Sequence, residues 1–188
     1  MNTHTMPNNY LICSEKFLRT QAPWRLNNSL LGQLSDDHYM ASFDSSSTKD
    51  IEKLAMNIAK PLRSSIKGKD IQHFVFVGYG SDCAILPLLE KQAKIKFSAA
   101  VLVNNTEPYE TYKSMSKTCV FYNIVTKPNL VDNVAKWSKW SKILEFVPSK
   151  LPAYMSSKIS LTIASFLIYD FYKVNYLTKT NTEIIQLN

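Results

Sequence analysis

The chain reads as an α/β protein: a mostly parallel sheet of about six strands with helices on both faces. Three observations carry this reading. Short continuous apolar runs recur along the chain, each four to seven residues long. Between several of them, apolar residues recur at three- and four-residue spacing, the signature of an amphipathic helix. The strongest run, His73–Gly78 (HFVFVG), is apolar at successive positions, as a central parallel strand buried on both faces must be. Such alternation implies parallel strands joined by helical crossovers.

The elements follow in order. Tyr10–Cys13 reads as a buried strand, Asn28–Leu34 as a short helix, and His38–Phe43 as a second strand closed by Asp44. Ile51, Leu54, Ala55, Ile58, Ala59, Leu62 and Ile66 then form one apolar helical face. Ser47 with Asp50 three residues on predicts a capping box at its start. Gly68 predicts its end, and Pro61 predicts a kink or a split. After His73–Gly78 a helix is expected over Ser81–Lys94. Phe97–Val103, Cys119–Val125 and Ile143–Val147 read as three further strands. Asp132–Ser141 reads as a helix carrying Trp137 and Trp140, and Ser156–Tyr172 as the last long helix. At 188 residues the length fits one domain, placed at 1–175 with a tail at 176–188. Ligands in such sheets bind beyond the carboxyl ends of the strands, so the loops after Cys13, Asp44, Gly78, Val103, Val125 and Val147 are where chemistry is expected.

Composition narrows the function classes. The chain is 45% hydrophobic and 20% charged, which is globular rather than disordered. Cys13, Cys83 and Cys119 are widely spaced, and no CxxC or Cys/His cluster occurs. Neither a disulfide framework nor a metal site is expected, and buried reduced thiols point to a reducing, intracellular compartment, cytoplasmic or organellar. The N-terminal segment has no secretory pattern. The longest apolar-leaning run, Ile159–Tyr169, is far short of the roughly 20 residues that span a bilayer. The net charge of +7 resides in residues 91–158, where eleven Lys face four carboxylates. A basic half suggests an acidic partner. The absence of Arg from it argues against phosphate or base recognition and fits a solvated lysine face.

The ordered motifs resemble the α/β-hydrolase fold superfamily. Tyr10–Asp44 resembles the stretch from the family's third strand to its fourth: Trp24, the helix at Leu30-Leu31, Asp37-His38-Tyr39-Met40-Ala41 and Asp44 fall in step. Phe74–Glu90 resembles the nucleophile elbow and the helix behind it. Val120–Lys139 resembles the strand and loop that carry the family's acid, and Ile143–Phe171 the last strand, histidine loop and final helix. The resemblance spans nearly the whole chain, with the first two strands missing and the lid after the sixth strand reduced to about fifteen residues.

The resemblance also implies a dismantled site. In a nucleophile elbow a strand turns sharply into a helix, with small residues beside the strained nucleophile. The frame here is Gly78-Tyr79-Gly80-Ser81-Asp82, which puts the nucleophile slot on Gly80. Glycine accepts the strained backbone but has no side chain to attack with. The acid's loop reads Thr126-Lys127-Pro128-Asn129, with Asn129 in the slot and no carboxylate. Lys150 stands nearest the histidine slot. Ser14 and Glu15 occupy the oxyanion loop, where a carboxylate would repel a developing oxyanion. Nucleophile, acid, base and oxyanion donor are therefore all altered. Glu15 and Lys150 could pair across the vanished pocket.

Three functions follow as expectations. The first is a catalytically inactive binding or accessory subunit with a protein partner, in a multi-subunit complex, its truncated sheet edge open to pairing. No cofactor is expected. The second is a divergent carboxylic ester or thioester hydrolase using Ser81 as a displaced nucleophile. Position 79 is Tyr rather than small, so Ser81 reads more simply as a helix cap, and Cys83 as a core thiol. The third is a nucleic-acid or anionic-surface binder using the basic half. Trp137 and Trp140, with Lys136, Lys139 and Lys142 around them, are the candidate contact surface.

Overall fold

The structure, a computed structural model, describes residues 9–16, 39–125, 141–145 and 184–186. Seven strands form one sheet in the order β6-β5-β4-β3-β1-β2-β7. They are β1 (Asn9–Ser14), β2 (Tyr39–Phe43), β3 (His73–Tyr79), β4 (Phe97–Val103), β5 (Val120–Val125), β6 (Ser141–Glu145) and β7 (Ile184–Gln186). Every adjacent pair is parallel. The α/β class and the parallel sheet expected from the alternating pattern are thus present.

The five central strands follow the apolar runs. All six residues of β1 are buried, as are the five central residues of β3. Alternate side chains make two apolar faces. Tyr10, Ile12, Phe43, Phe74, Phe76 and Phe97 join the core cluster shared with the helices. The aromatic rings among them form a row across β2, β1, β3 and β4: Phe43 stacks on Phe76 at 5.9 Å, Tyr10 meets Phe74 at 5.8 Å, and Phe76 meets Phe97 edge-on at 5.9 Å. Leu11, Cys13, Met40, Val75, Val77 and Val101 are buried as well, which explains why no polar alternation shows in these strands.

Two described helices, α1 (Ile51–Ile66) and α2 (Ile85–Ala93), pack on each other and on the ring-bearing face. The buried face of α1 is Leu54, Ala55, Ile58, Ala59 and Leu62, five of the seven positions read from its periodicity. Its start differs from expectation. The cap is Asp50, in extended conformation, whose carboxylate accepts from the Glu52 and Lys53 amides at 3.1 and 3.3 Å. Ser47 lies three residues too early to reach them; Thr48 instead accepts from the Asp50 amide. The helix also runs unbroken through Pro61. The buried face continues on both sides of it, and that packing outweighs the one backbone bond a proline removes.

Other boundaries shift. The segment after β3 opens as a 3-10 turn, Gly80–Ala84, before α2 begins at Ile85. Neither start has a side-chain cap, so Ser81 does not cap a helix. β6 begins at Ser141, two residues before the expected Ile143. Ile184–Gln186, inside the segment read as a tail, pairs with Met40–Ser42 of β2. That edge of β2 is therefore occupied rather than open, and the argument for a partner from an open edge loses its footing there. The expected helices at 28–34, 132–141 and 156–172 lie outside the described residues, apart from Ser141 itself.

Candidate functional site

In this strand order β1 lies between β2 and β3. The chain leaves β1 for one neighbour and reaches the other only after α1. This is a topological switch point, and open parallel sheets hold their ligands beyond the strand ends there. The carboxyl ends of β1, β2 and β3 deliver Ser14-Glu15-Lys16, Asp44-Ser45 and Gly80-Ser81-Asp82 to one place.

A crevice of about 280 Å³ opens at this point. Among the described residues its lining is Lys16, Ser45, Thr48, Lys49, Ser81 and Asp82, with Ile51 and the buried Leu54 and Ile85. The three apolar residues belong to the first turns of α1 and α2. Lys49 and Ser81 are exposed, Ser45 and Thr48 half-buried, and Leu54 and Ile85 buried.

Asp82 organises the wall. Only 4% of it is exposed. It accepts a 2.5 Å hydrogen bond from the Ser14 hydroxyl, and Lys16 Nζ stands 3.5 Å from its other oxygen. A buried carboxylate needs such partners, since unpaired burial of a charge is costly. The bond spans 68 residues of sequence, so no local pattern reveals it. Asp82, Lys16, Ser45, Thr48 and Lys49 are the site residues that motif reading missed.

The turn between β3 and α2 carries two glycines with different constraints. Gly80 sits at its tip with φ +59°, and a side chain there would meet nothing within 4 Å. Gly78 is the close approach: an added Cβ would lie 2.7 Å from Phe76 Cε1 and 3.0 Å from Cys83 Sγ. The position two after the tip carries not a small residue but Asp82, turned back toward Ser14. Ser14, which the resemblance would put in an oxyanion loop, is wholly buried and donates to Asp82. Glu15 is half-buried in a helical turn and does not line the crevice.

Ser81 does line the crevice, but no described histidine accompanies it. His73 starts β3, at the far end of the strand, where Nδ1 is 3.1 Å from Ser98 Oγ. Cys83 is fully buried, and burial, with Asp82 beside it, pushes its thiol pKa far up. Burial does the same to Cys13 and Cys119, so none of the three is an activated nucleophile. Asp44 accepts from the Ser46 amide at 2.9 Å, which is a structural turn. Asn129, Lys136, Trp137, Lys139, Trp140 and Lys150 lie outside the described residues, as does any pairing of Glu15 with Lys150. Of the basic half, Lys91, Lys94, Lys96, Lys113 and Lys117 are exposed. Among the described residues no group of His, Cys, Asp and Glu could hold a metal ion, and no helix is long and apolar enough to cross a membrane.

The chain matches no protein-family model, no curated protein and no solved structure.

Proposed function

We propose that this protein is a catalytically inactive α/β-hydrolase-like domain that works by binding, as an accessory component of a larger assembly. One observation carries the reading. The turn after the central strand has an elbow's form, with Gly78 pressed against Cys83 and a left-handed residue at the tip, and that residue is Gly80. The form of the turn suits a nucleophile, while glycine supplies none. The surroundings agree: Ser14, in the segment that the resemblance assigns to the oxyanion loop, is buried and donates its hydroxyl proton to Asp82 instead.

A divergent esterase or thioesterase using Ser81 is the second reading, favoured by the exposure of Ser81 on the crevice. A serine nucleophile needs a base within about 3 Å to take its proton; the one carboxylate among the described residues lining the crevice, Asp82, is held by Ser14 and Lys16. Hydrolysis of short-chain aryl esters and acyl thioesters by the wild type beside Ser81→Ala separates the two. The inactive reading expects no turnover in either protein.

A further inference from the structure

The fold sorts charge along the strand axis. In a parallel sheet every strand starts at one end, and each crossover helix finishes there. The register lines these starts up: Phe74 of β3 pairs with Phe97 of β4, and Ala99 of β4 with Val120 of β5. The end of α1 and the loop to β3 bring Arg63, Lys67 and Lys69 to this end. The end of α2 and the loop to β4 bring Lys91, Lys94 and Lys96; Lys117 precedes β5, and Lys142 starts β6. Among the described residues eight cations thus meet two carboxylates, Asp70 and Glu90. Glu90 is buried, accepting from the Phe97 amide at 3.0 Å with Lys96 Nζ at 3.6 Å. The opposite end reverses the balance: eight carboxylates, from Glu15 to Glu145, meet three cations, Lys16, Lys49 and Lys53. Lys60, midway along α1, and Lys113 belong to neither end. The rest of the chain carries nine Lys/Arg and five Asp/Glu, so taken together it adds positive charge.

Cations at helix ends suit the helix dipole, but a helix carboxyl end supplies only about half a negative charge. Two helices therefore offset about one of the six surplus charges. Lys67, Lys91, Lys94 and Lys117 are exposed, with no carboxylate partner among the described residues. We propose that this amino-end face docks a carboxylate-rich surface or segment of a protein partner. One arginine stands in it, and its guanidinium donates to the Gln92 carbonyl at 2.8 Å. The face therefore offers ammonium point charges, not the forks that phosphate recognition favours. Among the described residues the exposed large apolar side chains are Met56 and Val120. Neither is an aromatic that stacks a base, and two isolated side chains do not anchor a bilayer. The sequence alone puts the charge excess in residues 91–158; the fold joins to it Arg63, Lys67 and Lys69 from the balanced part of the chain. The choice of a protein partner rests on the binding-component reading. Acyl turnover would remove that reading, whereas loss of docking would leave it standing.

The test is fluorescence anisotropy of labelled poly-L-glutamate titrated with the full chain at about 50 and about 200 mM salt, beside a labelled DNA duplex and vesicles containing phosphatidylserine. Two double variants remove equal charge from opposite ends: Lys67→Gln with Lys91→Gln on the basic face, and Lys49→Gln with Lys53→Gln at the other end. All four positions are exposed, and circular dichroism checks that each variant is folded. Saturable binding of poly-glutamate is expected, about tenfold weaker at the higher salt because exposed charges are screened. The basic-face variant should weaken it about fivefold through two lost exposed ion pairs. The other variant should stay within about twofold, because Lys53 lies about 20 Å from Lys67 along α1, beyond the Debye length of about 10 Å. Three results would overturn the proposal: no saturable binding of poly-glutamate by the folded wild type, equal losses in the two variants, or tighter binding of the duplex or the vesicles than of poly-glutamate.

Discussion

Gly78 and Gly80 stand two residues apart in one turn, yet each is glycine for a different reason. At Gly78 the constraint is space, because Phe76 and Cys83 close on it. At Gly80 it is the backbone, at φ +59° with open space around it. The two substitutions should therefore differ. Gly78→Ala forces overlap with a packed core and should cost about 1–3 kcal/mol. Gly80→Ala meets no atom and should cost about 1–2 kcal/mol of backbone strain alone. Gly78→Val should widen the gap further, while Gly80→Asn, which tolerates the left-handed region, should cost less than Gly80→Ala. Urea unfolding of the four variants checks the ordering. Both glycines are visible in the sequence frame Gly78-Tyr79-Gly80. Asp82 was not, because its partners Ser14 and Lys16 are brought to it by strand order, not by spacing. Asp82→Ala should lose about 1–3 kcal/mol by leaving the buried Ser14 hydroxyl without its acceptor. A midpoint unchanged by that substitution would remove Asp82 from its organising role.

At the scale of elements, α1 shows what periodicity reads and what it misses. The apolar spacing located the buried face, Leu54 to Leu62. The cap was misread because capping depends on which residue takes an extended backbone, and Asp50 does so at φ −81° and ψ 107°. Ser47 and Asp50 both suit a cap by type, and only the backbone decides between them. Asp50→Ala should lower stability by about 0.5–2 kcal/mol. Ser47→Ala, at an exposed turn residue, should stay within about 0.5 kcal/mol. Chemical denaturation of the pair checks this, and equal losses would contradict the assignment. The strands were read well for a different reason. A parallel strand buried on both faces is a continuous apolar run, and HFVFVG and Phe97–Val103 carry that signal undiluted. β7 was missed because it has three residues and gains its place only by pairing with β2.

At the scale of the whole molecule, the sheet order turns separate loops into one site. Lys16, Lys49 and Asp82 belong to three loops and meet only because β2, β1 and β3 are neighbours. The same burial that makes the sheet also silences its thiols. Cys13, Cys83 and Cys119 all sit in the core, and burial raises each pKa. A maleimide at neutral pH should leave all three unlabelled in the native protein and modify all three in urea; rapid native labelling of Cys83 would place it on the surface instead.

The central proposal is that the turn at Gly80 keeps an elbow's form without its chemistry. Its most direct test is the rate of release of nitrophenol and thiol from short-chain aryl esters and acyl thioesters, measured for the wild type, for Ser81→Ala and for buffer. The account predicts one rate for all three. A wild-type rate well above buffer that falls to the buffer level in Ser81→Ala would contradict it and make Ser81 a nucleophile.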